Sequence, residues 1–252
     1  MKFVNPEVYL ISIPEDTGAM TEFLEKSGVT WRPDPDVSWT ENVMEFAGRL
    51  CYWSFESEDG FENKNLTRIR SGNKDYLGNI IKAGHLSVFE HNGPLTILFS
   101  NVSRVFANEL VRHRAGCAYS QTSGRYVRTD DISFWVPPTL QNADVAKSLS
   151  VIEAELKRIE DVLGIDAMKD FKDKKIATSA LRRLAPNGQA NNILMSCNHR
   201  ALRHIIELRT SEHAEEEMRI CFGGVAKMMK RLFPSIYQDM YEEDGSWKFG
   251  SQ

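Results

Sequence analysis

Two hydrophobic periods alternate along the chain, and their order predicts the elements. Glu7 to Ile13 is β-rich and partly alternating, which predicts a strand. Pro14 to Asp36 carries Gly18, Gly28, Pro33 and Pro35 and predicts an excursion holding one short helix. From Trp39 the period changes. Val43, Phe46, Ala47 and Leu50 fall at i, i+3, i+4 and i+7, an apolar helical stripe with Thr40 as its N-cap. Ser54 to Asn73 is polar and predicts an exposed loop, and Tyr76 to Ala83 returns to helical spacing before Gly84. Leu95 to Ser100 suits a buried strand, Ser103 to Val111 a helix capped by Ser103 or Asn101, and Asp131 to Val136 a strand ended by Pro137 and Pro138.

The second half reads mainly as helix. Leu149, Ile152, Leu156, Ile159 and Leu163 form an amphipathic stripe ended by Gly164. Further helices are expected from Asp173 to Leu184, from Ile193 to Thr210, and through Ala214, Met218, Cys221, Val225, Met228 and Leu232 up to Pro234. With strands mostly early and helices mostly late, the expected fold is α+β. A central, mostly antiparallel sheet would be flanked by long helices in one domain of residues 1–252.

Composition narrows the classes of function. The chain has 252 residues, 42% hydrophobic and 26% charged, with a formal charge of −4. No global positive field therefore calls for a nucleic acid. No apolar run reaches the roughly 20 residues of a membrane helix, and the N-terminus lacks a signal-peptide pattern. Cys51, Cys117, Cys197 and Cys221 are widely spaced, without C-x-x-C or Cys-His metal spacing, and three of them sit in apolar, helix-like contexts. Reduced structural thiols, no metal and a cytoplasmic location are expected.

Three segments carry candidate chemistry. Arg112-His113-Arg114 ends an apolar helix, where basic residues could simply complement the helix dipole. The stretch that follows, Cys117 to Gly124, is rich in hydroxyls and small residues and leads into Arg125. Hydroxyls, backbone N–H groups, a glycine and an arginine fork together suit a phosphate-bearing ligand, although Walker spacing is absent. In Gly84 to His91, His85 and His91 lack the spacing of a metal site, and a polar turn feeding a cleft is the preferred reading. Asn198 and Arg209 share one face of a helix, with Leu202 and Ile205 near the same stripe. Arg209 then either makes a structural salt bridge, for instance to Glu207 or Glu212, or contacts a ligand.

In this order the segments resemble the flavin-dependent thymidylate synthase family. The matching motifs are Gly84 to His91, Arg112 to Tyr126, Arg182-Arg183-Leu184-Ala185-Pro186, Asn198 to Arg209 and Ala214 to Arg219, within residues 39–235. The resemblance implies a homotetramer whose subunits share sites, with FAD reduced by NADPH, methylenetetrahydrofolate as carbon donor and dUMP methylated at C5 to dTMP. Arg209, Ser123 and His85 would be catalytic. Ser87, Arg112, His113, Arg114, Gln121, Asn198, Arg200 and His204 would bind cofactor. Glu109, Arg112, Gln121, Ser123, Gly124, Arg125, Arg182 and Arg209 would bind the nucleotide.

Three departures bear on the substrate. Eight residues separate Arg114 from Ser123, one more than the commonest family spacing. Gln121 replaces an acidic sugar-contacting residue, and Glu109 stands where a glutamine is expected. A paralogue acting on UMP or dCMP with the same cofactors is the alternative these changes leave open.

Overall fold

A computed structural model of the chain describes residues 2–57, 72–91, 95–123 and 133–250. In chain order the elements begin with β1 (Lys2–Phe3), β2 (Glu7–Ser12), α1 (Ala19–Lys26), β3 (Val29–Thr30), α2 (Trp39–Tyr52), β4 (Glu56–Ser57) and α3 (Asn73–Lys82). A 3₁₀ turn, Leu86–Glu90, precedes β5 (Leu95–Ser103), α4 (Arg104–Leu110), β6 (Cys117–Gln121) and β7 (Ser133–Phe134). Then come α5 (Ala143–Val162), α6 (Phe171–Leu181), β8 (Ala190–Cys197), α7 (His199–Thr210), α8 (Glu216–Leu232), β9 (Met240–Glu243) and β10 (Ser246–Phe249).

The centre is a four-stranded antiparallel sheet in the order β2-β5-β8-β6, so the class is α+β. Alternation gives it one buried face. Leu95, Ile97 and Phe99 of β5 stand in register with Cys197, Met195 and Ile193 of β8, and all six are buried. The opposite face carries Thr96 and Ser196, whose hydroxyls meet at 3.0 Å. Helix α8 covers the apolar face with Met218, Cys221, Phe222, Val225, Ala226 and Met229, all buried at helical spacing, and α7 adds Leu202, Ile205 and Ile206. Among the described residues, no helix is long and apolar enough to cross a membrane.

Several expectations need correcting. Ile193 to Thr210 is not one helix, because residues through Cys197 belong to β8. Leu and Met favour helix by less than about 1 kcal/mol per residue. Pairing on both edges and burial of alternate residues outweigh that preference. Helix α7 starts only after Asn198, whose side chain accepts from Ala201 N–H at 2.8 Å. Residues 117–121, to which the hydrophobic pattern assigns no element, form β6. With β8 to β10 late and α1 to α3 early, strands and helices are less segregated than predicted. Cys117 and Cys197 lie on strands rather than helices, and Cys51 is exposed.

Helix α2 is capped by Ser38, not Thr40, in a reciprocal box with Glu41. Its buried face includes polar residues rather than the predicted apolar stripe, and Leu50 is exposed. There Arg49 pairs with Glu45 at 2.6 Å, Asn73 donates to Glu45 at 2.8 Å, and Glu41 accepts from Ser235 N–H at 2.6 Å. Bonding satisfies charges that burial alone would penalise. The expected loop from Ser54 begins with buried Ser54 and Phe55, and the expected strand from Asp131 narrows to β7 among the described residues.

Candidate active site

Helix α4 points the basic triplet outward. Ser103 caps it, accepting from Phe106 N–H at 3.0 Å, and Phe106, Ala107 and Leu110 anchor it in the core. After Val111 the chain turns, with His113 N–H donating to Leu110 O at 3.1 Å. The triplet is therefore carried just beyond a helix whose position is set by packing.

Gly116 then adopts φ +69°, and a Cβ there would lie 2.6 Å from Asn198 Nδ2. Only glycine allows both that left-handed backbone and the close approach. Asn198 N–H donates to Gly116 O at 3.2 Å, which locks the start of α7 against the turn before β6. These two chain segments are the walls of a cleft of about 530 Å³, lined by Arg112, His113, Arg114, Asn198, Arg200 and His204 among others. Three arginines against one carboxylate, Glu90, give it a positive field suited to an anionic ligand. Glu90 already pairs with Arg200.

Behind the cleft, Arg209 is clamped. Its Nε donates to His113 Nε2 at 2.7 Å, one Nη to the Glu109 carboxylate at 2.5 Å, and the other Nη to Glu109 O at 3.1 Å. Burial, aided by neighbouring Arg209 and His204, lowers the His113 pKa to about 4, while Glu109 pulls the other way. His113 is therefore neutral near pH 7. Because Nε2 accepts, its proton sits on Nδ1. Tyr119 completes the support by donating its hydroxyl to His113 O at 2.7 Å.

The structure gathers Arg112, His113, Arg114, Asn198, Arg200 and His204 at the cleft, with Glu109 and Arg209 joined to them through His113. The salt bridge expected for Arg209 exists, but its partner is Glu109 rather than Glu207 or Glu212, because the fold brings the last turn of α7 within side-chain reach of the end of α4. His85 and Ser87 are exposed on or beside the 3₁₀ turn and do not line this cleft. Ser123 and Gln121 lie at the other end of β6, about 20 Å from Gly116 at roughly 3.3 Å per residue. Arg182 is also remote from the cleft. It faces Arg104 at the N-terminal end of α4, and burial together with Arg182 lowers the Arg104 pKa. Gly124, Arg125 and Tyr126 lie outside the described residues. Among the described residues, no group of three His, Cys, Asp or Glu side chains is placed to hold a metal ion.

Sequence reasoning assigned no role to Glu90, Tyr119, Gly116 or Arg104. Glu90 lay inside a quoted motif. Tyr119 was detectable from the alternation of Cys117, Tyr119 and Gln121 on one strand face. Gly116 and Arg104 offered no comparable signal.

The family described as thymidylate synthase complementing protein matches residues 37–235. A protein of Mycobacteroides abscessus named flavin-dependent thymidylate synthase is 34% identical over 230 residues, covering 88% of this chain and 87% of its own. Proteins of the same name from Mycobacterium marinum and Corynebacterium diphtheriae are 34% and 30% identical over the same shares of each chain.

Proposed function

This chain belongs to the flavin-dependent thymidylate synthase family, and on that premise we propose that it methylates dUMP at C5 to give dTMP. FAD, NADPH as reductant and methylenetetrahydrofolate as one-carbon donor complete the reaction. The observation that carries this reading is the joining of the basic cleft to a clamped Arg209 through neutral His113.

The donor set fits a flavin. Arg112, Arg114, Arg200 and Asn198 offer hydrogen-bond donors to its polar edge and phosphates, and His204 borders the same cleft. When bound, reduced FAD would supply the hydride that replaces attack by a protein thiol. The chain's own residues bind and orient. A guanidinium has five N–H donors, and Arg209 uses three on Glu109 and His113. Two remain for the N3 and O2 edge of a pyrimidine, where they would stabilise negative charge developing on the ring. Holding Arg209 in advance means little reorganisation is needed when that charge appears.

Ser123, Gly124, Arg125 and Arg182 are assigned to the nucleotide phosphate. The roughly 20 Å between Ser123 and the cleft exceeds the length of a nucleoside monophosphate. That distance favours a shared site, in which one subunit contributes the phosphate grip and another the flavin cleft, within a homotetramer. His85 and Ser87 would face the folate and flavin of such a shared site. Arg209 pairs with the Glu109 carboxylate, which reduces but does not abolish its repulsion of an incoming phosphate.

A visible spectrum of the purified protein and tritium release from C5-labelled dUMP, UMP and dCMP test the reading together. Bound yellow flavin and release from dUMP are expected. Arg209→Ala should keep the flavin and lose most turnover. A protein that binds no flavin after reconstitution, or releases tritium only from UMP or dCMP, would overturn it.

A further inference from the structure

Strands β6 and β8 place Cys117 directly opposite Cys197. Asn198 N–H donates to Gly116 O at 3.2 Å, and Thr122 N–H to Asn192 O at 3.0 Å. These ladder bonds join 116 with 198 and 122 with 192. Because antiparallel pairs alternate, Cys117 and Cys197 form a pair without ladder bonds between them. Side chains approach most closely at such pairs. Their Cα atoms stand about 4.5 Å apart, inside the roughly 4.4–6.8 Å that a disulfide spans. Both side chains pack on the apolar face of the sheet, and the Cys117 thiol donates to Ala115 O at 3.5 Å.

The pair is asymmetric. Cys117 lies on an edge strand and is half-buried, and Cys197 is fully buried on the strand beside it. The neighbouring Cys197 thiol, helped by Tyr119, holds the Cys117 thiol below its usual pKa against the effect of burial. The Cys117 thiol beside it, with burial, pushes Cys197 well above the usual thiol range. A more accessible, more acidic thiol beside a protected one is the arrangement of an attacking and a resolving cysteine.

We infer that Cys117 and Cys197 are a peroxide-responsive dithiol that closes to a cross-strand disulfide beside the candidate active-site cleft. The Cys117 thiolate attacks hydrogen peroxide, so an S–O bond forms, the O–O bond breaks, and the departing hydroxide takes up a proton to become water. Cys197 sulfur then attacks the resulting sulfenic acid. The S–S bond forms as the S–O bond breaks, and the second hydroxide leaves as water with the Cys197 proton. Two thiols lose two electrons in total, and one peroxide becomes two waters.

The position gives the bridge a point of action. Cys117 directly follows the Arg112–Gly116 wall, and Cys197 directly precedes Asn198 on the other wall. Tyr119, which affects Cys117, also donates to His113 O.

The test uses the full chain carrying Cys51→Ser, which removes the exposed thiol and leaves three of the four cysteines. Graded hydrogen peroxide is followed by intact mass, thiol titration under denaturing conditions and peptide mapping. The expected result is a fall from three titratable thiols to one, a mass lower by two hydrogens, a peptide joining Cys117 to Cys197, and full reversal by dithiothreitol. In Cys197→Ser, Cys117 should instead accumulate as a sulfenic acid that dimedone captures. If that variant does not fold, the peptide map of the Cys51→Ser protein decides alone. Cys117 gaining two or three oxygens while Cys197 stays titratable would overturn the proposal. So would both thiols surviving peroxide doses that oxidise Cys51 in the unsubstituted protein.

Discussion

Glu109→Gln should weaken the fold and strengthen nucleotide binding at once. In the wild-type chain the carboxylate meets Arg209 at 2.5 Å, with the Arg209 side chain 13% and the Glu109 side chain 32% exposed. Two unit charges about 4 Å apart at an effective dielectric near 20 attract by about 4 kcal/mol. Exposure on the glutamate side and the desolvation of both groups reduce the net value to about 1–2 kcal/mol. Glutamine keeps an acceptor oxygen but loses the charge. For a chain of this size, that loss lowers the melting temperature by about 2–8 °C. Removing the carboxylate also removes repulsion of an incoming anion. At about 8 Å and an effective dielectric near 40 this is worth about 1 kcal/mol, or about fivefold in affinity. Thermal unfolding and calorimetric titration with a nucleoside monophosphate read the two effects separately. The His113 pKa, followed by NMR, should fall below its value of about 4, because Glu109 is the neighbour that raises it. An unchanged melting temperature, or weaker nucleotide binding, would refute the idea that this pair trades stability against anion affinity.

Three further outcomes follow from the same structure. Gly116→Ala should destabilise by about 2–3 kcal/mol, because it strains a left-handed backbone and displaces the Asn198 cap; urea unfolding measures this. His199 is buried with its pKa lowered to about 3, chiefly by burial and then by Arg203, so between that value and about 6.5 the unfolded chain binds a proton that the native chain does not. Stability should therefore fall as the pH drops below about 6.5, with His199 contributing about 2–3 kcal/mol of the loss by pH 4.5; His199→Gln should remove that share from urea midpoints taken at both pH values and leave the part due to His113. Asp239→Ala strands Arg203, whose side chain is only 7% exposed, and should cost about 3–5 kcal/mol; Arg203→Met combined with Asp239→Leu should recover most of it in the same assay.

The legible parts of the fold were those with one dominant signal. The stripe through Cys221, Val225 and Leu232 and the stop before Pro234 marked α8, and Ser103 marked the start of α4. Strand β8 was misread because Ile193, Leu194 and Met195 satisfy either period, and only pairing with β5 and β6 selects one. Helix α2 was misread differently. Its buried face includes Glu41 and Glu45, which meet Ser235 and Asn73 from distant parts of the chain, and Arg49, which pairs with Glu45 and donates to Ser54 O. At the site, residue types indicated an anion and the order of motifs indicated a family. Which carboxylate holds Arg209 depends on the end of α4 meeting the end of α7, a contact between residues a hundred positions apart.

Strand β6 also restricts how this chain can vary or be engineered. Its ladder with β8 advances about 3.3 Å per residue and alternates faces at each step. One residue inserted within Cys117–Gln121 would turn every later side chain to the opposite face and break the register with β8. A length change between Arg114 and Ser123 must therefore be absorbed at the Ala115–Gly116 turn, beyond Thr122, or as a bulge. Loop grafts or chimaeras with relatives of a different interval should be joined at those two ends. A length change at a junction inside the strand would shift the two halves of the motif by about 3.3 Å per residue and turn the second half to the other face.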